Sequence, residues 1–268
     1  MNRIKAAVRP HIDNFMKYRF LLKELVNKNI KLQYRNSVLG IFWTFLQPLL
    51  TMIVLSFVFM NVFGRGNSKT GNYPVYLLCG RLLFQFYTTA TKRAMTSIRR
   101  QSSMIKKVYV PKYFYPLSSI LFNFIIYLIS LLVLIPVSIY ARVAPTGRVW
   151  HLVPAVIYLL ILTIGVGMIL STLNVFFRDI EYLWNVALLI IMYMSAIFYY
   201  PERLLNSGWY WILKYNPLFC IIDLARSGVL GYAADLWTFL YPLIFGLTAV
   251  GIGIIFFHRK QDEFILHI

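Results

Sequence analysis

The stretch KNIKLQYRNSVLGIFWTFLQPLL, residues 28–50, changes character at its middle. Lys28, Lys31 and Arg35 fall in its first eight residues, and from Val38 the chain runs to Phe63 without one Asp, Glu, Lys or Arg. A bilayer core about 30 Å thick is crossed by about 20 apolar helical residues, so residues 38–63 are long enough to span it. A cationic segment leads into this apolar one with little more than Asn36 and Ser37 between them. The whole chain agrees with a membrane solvent. Of 268 residues 59% are hydrophobic and 13% charged, with a mean hydropathy of +0.66, whereas soluble domains carry about a quarter charged residues.

Five further segments qualify as spans, over 73–91, 116–140, 152–177, 182–199 and 236–257. The expected fold is an all-α polytopic membrane protein with six transmembrane helices, and an even count puts both termini on one side. The distribution of Lys and Arg decides which side. With the N-terminus inside, 19 of the 27 cations fall in cytoplasmic parts and seven in outer parts, while Arg81 lies within a span. The expected topology is N-in/C-in. The first 35 residues are rich in Lys and Arg and lack the uninterrupted apolar core of a signal peptide, so cleavage is not expected. The chain then divides into a cytoplasmic N-terminal segment, 1–37, and a six-span domain, 38–268. Between spans five and six, residues 200–235 contain two apolar pieces, Trp209–Leu213 and Pro217–Leu224, each too short to span. Short re-entrant or interfacial exocytoplasmic helices fit them. A plain hairpin with Trp209, Tyr210 and Trp211 in the aromatic belt is the alternative.

Catalytic chemistry needs convergent polar groups, and few are available. The nine carboxylates are scattered and none lies deep in a span; the four histidines show no metal-ligand spacing. No Asp-rich Mg²⁺ motif and no phosphate-binding Walker sequence is visible. Cys79 and Cys220 sit inside apolar runs, which implies buried thiols rather than a disulfide framework. No catalytic site, metal or cofactor is expected in this chain. A proton- or sodium-coupled carrier would show ionisable groups within the bilayer, and only Arg81 fits that description. The net charge of +18 could suit nucleic acid, anionic lipid or an anionic substrate. Its concentration on one side of a membrane protein points to lipid and partner proteins, with no nucleic acid.

That cytoplasmic side carries two patterned elements. On a helical wheel, Leu21, Leu22, Leu25, Val26, Ile30 and Leu32 share one half, with Lys23, Lys28, Lys31 and Arg35 opposite. This is an amphipathic interfacial helix, suited to anionic lipid or to docking a cytosolic partner. The loop KRAMTSIRRQSSMIKKVYVPK, residues 92–112, carries seven cations. Within it Met104, Ile105, Val108 and Tyr109 make an apolar stripe on a short helix ended by Pro111. An ordinary solvated loop would satisfy the charge rule equally well, whereas the stripe suggests a protein–protein contact.

Five pieces in order resemble a known family: YRNSVLGIFWTFLQPLL at 34–50, NYPVYLLCG at 72–80, MIKKVYVPKYFYPLSS at 104–119, STLNVFFRDIEYL at 171–183, and KYNPL at 214–218 followed by Arg226. They look like the membrane subunit of type-2 ABC exporters of lipid-linked polysaccharide, including O-antigen and teichoic-acid exporters. The resemblance implies a homodimer in a prokaryotic plasma membrane, with two cytosolic ATPase subunits that carry the ATP and Mg²⁺, and a polyprenyl-linked glycan as cargo. It implies coupling roles for Asn29, Lys31 and Arg35 and for Ser102, Met104, Ile105, Lys106, Lys107 and Tyr109. The pair Arg178 and Asp179 matches the family's Arg-Asp pair; being adjacent and so not facing each other on a helix, it serves either in coupling or as separate interfacial anchors. The segment after Tyr200 matches re-entrant helices lining the exit. The chain departs from the family pattern at Arg81, Leu83 and Phe84, and at Ala196, where a proline is common. Arg81 lies about 12 Å into its span at 1.5 Å per residue. It either snorkels to the outer interface or contacts a phosphate of the lipid carrier.

Aromatic rings present flat apolar faces on which sugars stack without demanding one hydroxyl pattern. Phe42, Trp43, Tyr193, Phe198 and Tyr199 are expected to join Arg81 along such a path. Two alternatives remain at this stage: a type-2 exporter of drugs or small lipids, and a membrane-embedded polyprenyl-phosphate glycosyl or phosphoglycosyl transferase.

Overall fold

The computed structural model describes residues 19–35, 37–59, 72–107, 110–144, 146–201 and 208–264, and among these it contains helices and turns but no strand. Helix α1 covers 19–34. It is followed by α2 (Trp43–Phe57), α3 (Tyr73–Arg100), α4 (Ser102–Ile105), α5 (Phe114–Leu131), α6 (Leu134–Tyr140), α7 (Leu152–Phe176), α8 (Ile180–Met194), α9 (Tyr210–Lys214), α10 (Pro217–Leu230) and α11 (Leu236–Lys260). Four helical stretches are long and apolar enough to cross a membrane: Gly40–Phe57, Phe114–Tyr140, Val149–Phe176 and Leu236–Lys260.

Helix α3 is the scaffold. Its 28 residues rise about 42 Å, and most of them are buried against α5, α7, α10 and α2. The expected span ended at Thr91, but the helix continues to Arg100. The expected loop over 92–112 is therefore helical for its first nine residues, because one face there remains small or apolar: Ala94, Met95, Ile98. Charge ended the hydropathy run without ending the amphipathic helix. Helices α2, α8 and α11 instead carry broad exposed apolar faces, the pattern of elements that meet lipid or another chain.

Helices α7 and α11 form the most extensive pair. Small residues set their distance, since a Cβ on Gly165 would lie 2.6 Å from the Ala249 carbonyl carbon, and one on Gly253 would lie 2.9 Å from the Gly165 oxygen. Pro48 lies inside α2, which continues through it.

Helix α10 corrects the reading of its segment as an eight-residue apolar piece ending at Leu224. It has 14 residues, Pro217–Leu230. Asn216 caps it by accepting from the Leu218 and Phe219 amides at 3.0 and 3.3 Å, Pro217 opens its first turn, and Gly231 closes it at φ +81°.

The cationic ends gather. Leu22 and Leu25 of α1 pack on Val110, Phe114 and Tyr115, with Met104 and Ile105 alongside. Ile105 also joins Ile98, Val175, Phe257 and Phe264. Lys112 donates to the Gln261 carbonyl and lies 5.8 Å over the Phe264 ring; partial burial lowers its ammonium pKa, with Asp262 opposing. The connector between α3 and α5 thus ties α1, α7 and α11 into one block. The apolar side of α1, read from sequence as facing lipid or a partner, is largely spent on this chain. So are Met104 and Ile105 of the stripe; Val108 and Tyr109 lie outside the described residues.

Candidate functional site

Four-residue steps along α3 carry Arg81, Gln85, Thr89 and Arg93 around the helix by about 40° each. The resulting polar stripe lines a cavity of about 280 Å³ between α2, α3 and α5, with Gln33 and Tyr34 of α1 at one end. Across from the stripe are Gln47 and Thr51 of α2, and Asn123 and Ser130 of α5, with Trp43 at the side. The Ser130 hydroxyl donates to the Thr44 carbonyl at 3.0 Å, which pins α5 to α2 beside the opening. Arg93 is shared with a second cavity of about 100 Å³, lined by Asn29, Ser97, Arg100, Gln101 and Ser119 among others. No carboxylate lines either cavity. Arg93 donates to Gln33 Oε1 at 2.9 Å and lies 4.9 Å over the Phe122 ring. Arg81 makes no hydrogen bond or ion pair among the described residues.

The expected substrate-path aromatics separate into two groups. Phe42 and Trp43 open α2. Phe198 stacks on Phe59, with ring centres 5.4 Å apart, past the other end of that helix. Sixteen residues of helix, about 24 Å, lie between Trp43 and Phe59. Tyr199 donates to the Tyr193 carbonyl at 2.7 Å, so these two belong with Phe198. Only Trp43 shares a cavity with Arg81.

The expected coupling residues lie at one end of the molecule. Asn29 lines the smaller cavity, while Lys31 on α1 and Arg35 in the turn after it are exposed. Ser102, Met104 and Ile105 form α4, and Lys106 and Lys107 project from the turn after it; Tyr109 lies outside the described residues. Arg178 and Asp179 are exposed where α7 meets α8, and neither side chain has a partner among the described residues.

Two residues named in the sequence only as parts of longer motifs prove to hold the fold together through contacts that no local pattern shows. The first is Glu181, two residues beyond Asp179. It accepts from Arg99 at 2.6 Å and from Asn174 Nδ2 at 3.2 Å, and the same Asn174 amide donates to the Met95 carbonyl at 3.1 Å. This latch joins the ends of α3 and α7 to the start of α8. The sequence hint is a pair of carboxylates, Asp179 and Glu181, near a cationic end. The second is Arg226, counted from sequence among the outer cations but only 1% exposed. Its guanidinium donates to the carbonyls of Tyr76, Ala196 and Ile197 at 3.2, 3.1 and 3.4 Å and stacks 3.5 Å over the Tyr76 ring. A helical reading of Pro217–Leu230 would have turned Arg226 inward with Ile222.

A sequence profile of the ABC-2 type transporter family matches residues 21–230, from within α1 to the end of α10. The chain is 30% identical over 249 residues to the O-antigen export system permease protein RfbA of Klebsiella pneumoniae, covering 91% of this chain and 93% of that one. It is 29% identical over 185 residues to the RfbA permease of Myxococcus xanthus, 68% and 69% of the two chains. It is 22% identical over 246 residues to the polysialic acid transport protein KpsM of Escherichia coli, 91% and 95% of the two. With its helical membrane architecture and a profile match over most of its length, the chain belongs to the ABC-2 type transporter membrane family.

Proposed function

We propose that this chain is the membrane subunit of an ATP-driven exporter of cell-surface polysaccharide linked to a polyprenyl phosphate or diphosphate, acting in a prokaryotic plasma membrane. The observation that carries this reading is the likeness to O-antigen export permeases along 91% of the chain. Six spans are α2, α3, α5 with α6, α7, α8 and α11, and α9 and α10 are re-entrant on the outer side. Two of these six differ from the four long apolar helices: α3 carries five cations, and α8 rises only about 22 Å. The gathering of Arg99, Arg100, Lys112, Arg178, Arg259 and Lys260 at one end supports N-in/C-in.

Two copies of the chain pair with two cytosolic ATPase subunits, which hold the nucleotide and Mg²⁺. One helix suits the copy-to-copy contact: Leu188 is the one buried residue of α8, and its outward stripe of Leu183, Val186, Leu189, Ile190 and Tyr193 is unspent within the described chain. The block of α1, α4 and the turn after it offers the ATPase Lys31, Arg35, Lys106 and Lys107. Aromatics near both ends of α2 give a sliding polymer stacking faces. The test is co-purification with an ATPase subunit whose turnover rises when lipid-linked glycan is added. Glycan transfer by this chain alone, without ATP, sinks the reading.

A further inference from the structure

The cavity between α2, α3 and α5 has a chemistry that the exporter reading does not by itself require. Arg81 stands about 12 Å from the start of α3, on an otherwise apolar stretch, and has no hydrogen bond or ion pair among the described residues. The side-chain amides of Gln47 and Gln85 share the cavity and also lack partners there. Polar groups at membrane depth are costly unless they find partners. A guanidinium lining a cavity that holds no carboxylate is suited to an anion. The cavity, about 280 Å³ where one water occupies about 30 Å³, holds a group far larger than a single ion.

Arg93 stands at the other end, 12 residues or about 18 Å along the same face-to-face stripe. It is held by Gln33 of α1 and by the Phe122 ring. Guanidinium groups match phosphate oxygens bidentately. Trp43, on the cavity wall, offers a flat face of the kind that sugar rings stack on. Beside it the outer face of α2 exposes Leu50, Ile53, Val54 and Phe57, where a lipid tail can lie. A stacking face, a phosphate contact and an apolar flank are the three parts that such an amphiphile needs, its phosphate joining sugar to tail.

We propose that the α2–α3–α5 cleft binds the phosphate or diphosphate headgroup of the lipid-anchored cargo, with Arg93 as the contact at the cytoplasmic mouth and Arg81 as the deeper one. This deepens the exporter reading and rests on it.

The test uses the full chain with its partner ATPase in nanodiscs of phosphatidylcholine, and measures binding of a radiolabelled polyprenyl diphosphate. Unlabelled polyprenol, inorganic pyrophosphate and phosphatidylglycerol serve as competitors. The expected result is saturable binding that weakens at least tenfold in Arg81→Gln and in Arg93→Gln, with Arg81→Lys in between. Size-exclusion profiles and basal ATPase turnover of each variant separate lost binding from lost folding. Unchanged affinity in both glutamine variants overturns the site. So does equal competition by polyprenol, which would remove the phosphate from recognition, or by pyrophosphate or phosphatidylglycerol, which would make the ligand a free or generic phosphate. ATP-driven export by the wild-type complex is scored separately. An export-competent complex whose binding ignores both arginines disposes of this site and leaves the exporter reading standing.

Discussion

Arg226 holds three stretches of chain with one side chain. Its fork reaches the carbonyls of Tyr76 in α3 and of Ala196 and Ile197 after α8, while its own backbone belongs to α10. The Tyr76 hydroxyl adds donations to Ala196 and Tyr199 at 3.0 and 2.9 Å. Ala196 is held at φ +46°, a left-handed conformation closed to proline, whose ring fixes φ near −65°. That accounts for alanine where the family resemblance led to an expectation of proline. Lysine offers a compact ammonium that cannot span three carbonyls. Arg226→Lys is therefore expected to lose about two charge-assisted hydrogen bonds, on the order of 2–4 kcal/mol, read as a lowered half-unfolding temperature in detergent. Gly80→Ala attacks the same contact from the other side, because its Cβ would sit 2.5 Å from Arg226 Nη2. The two changes should be less than additive in a double-mutant cycle. Full additivity would mean that Gly80 is needed for some other reason.

Helix α8 is attached mainly at its ends. At its start Glu181 meets Arg99 and Asn174. Three residues on, the Trp184 indole donates to Thr91 at 3.1 Å. At its close Asn216 donates to the Met194 carbonyl and the Ser195 hydroxyl at 3.0 and 3.1 Å. Because the Arg99–Glu181 pair is about one-third exposed, solvent screens it, and Glu181→Gln is expected to cost only about 1 kcal/mol. The larger effect should be local. Hydrogen exchange over residues 178–186 should speed up several-fold while the α7–α11 seam stays protected, and unchanged exchange there would remove the latch. The apolar runs made α2, α5, α7 and α11 legible in sequence, since each is recorded in a long uncharged stretch. The reach of α3 beyond Thr91 and of α10 beyond Leu224 was hidden, because hydropathy averages lose a helix once charges enter one of its faces. The site divides in the same way. Arg81 stood out as a lone cation in a span, but its company of Gln47, Gln85 and Asn123 comes from three helices whose mutual rotation no local pattern encodes. Glu181 was passed over for Arg178 and Asp179 because adjacency in sequence says nothing about which residue turns inward.

The whole molecule joins its cationic block to its lipid-facing helices through very little chain. Helix α1 ends at 34 and the turn Gly40–Phe42 leads directly into α2. Within that join the Ser37 amide donates to the Tyr34 carbonyl at 3.2 Å, and the Ser37 hydroxyl accepts from the Gly40 amide at 3.0 Å. Both ends of the join are thus stitched to their helices. Helix α1 is in turn fixed to the connector after α3 through Leu22 and Leu25, and Gln33 touches Arg93 at the mouth of the cleft. A displacement of α1 by a cytosolic ATPase would reach α2 and the cleft together, with no slack to absorb it. Inserting a flexible Gly-Ser-Gly-Ser segment between residues 36 and 37 should keep the fold, because both packed blocks are untouched. It should also keep ATPase binding, because Lys31, Arg35 and the α4 turn remain in place. What it should remove is coupling. Basal ATP hydrolysis should continue in the reconstituted complex while glycan-stimulated turnover and export fall at least tenfold. A four-alanine insert, which can extend the helix rather than loosen it, should lose less. Full export by the Gly-Ser variant would show that the stroke enters the membrane elsewhere, and the latch from Arg99 to α8 would then be the next route to cut.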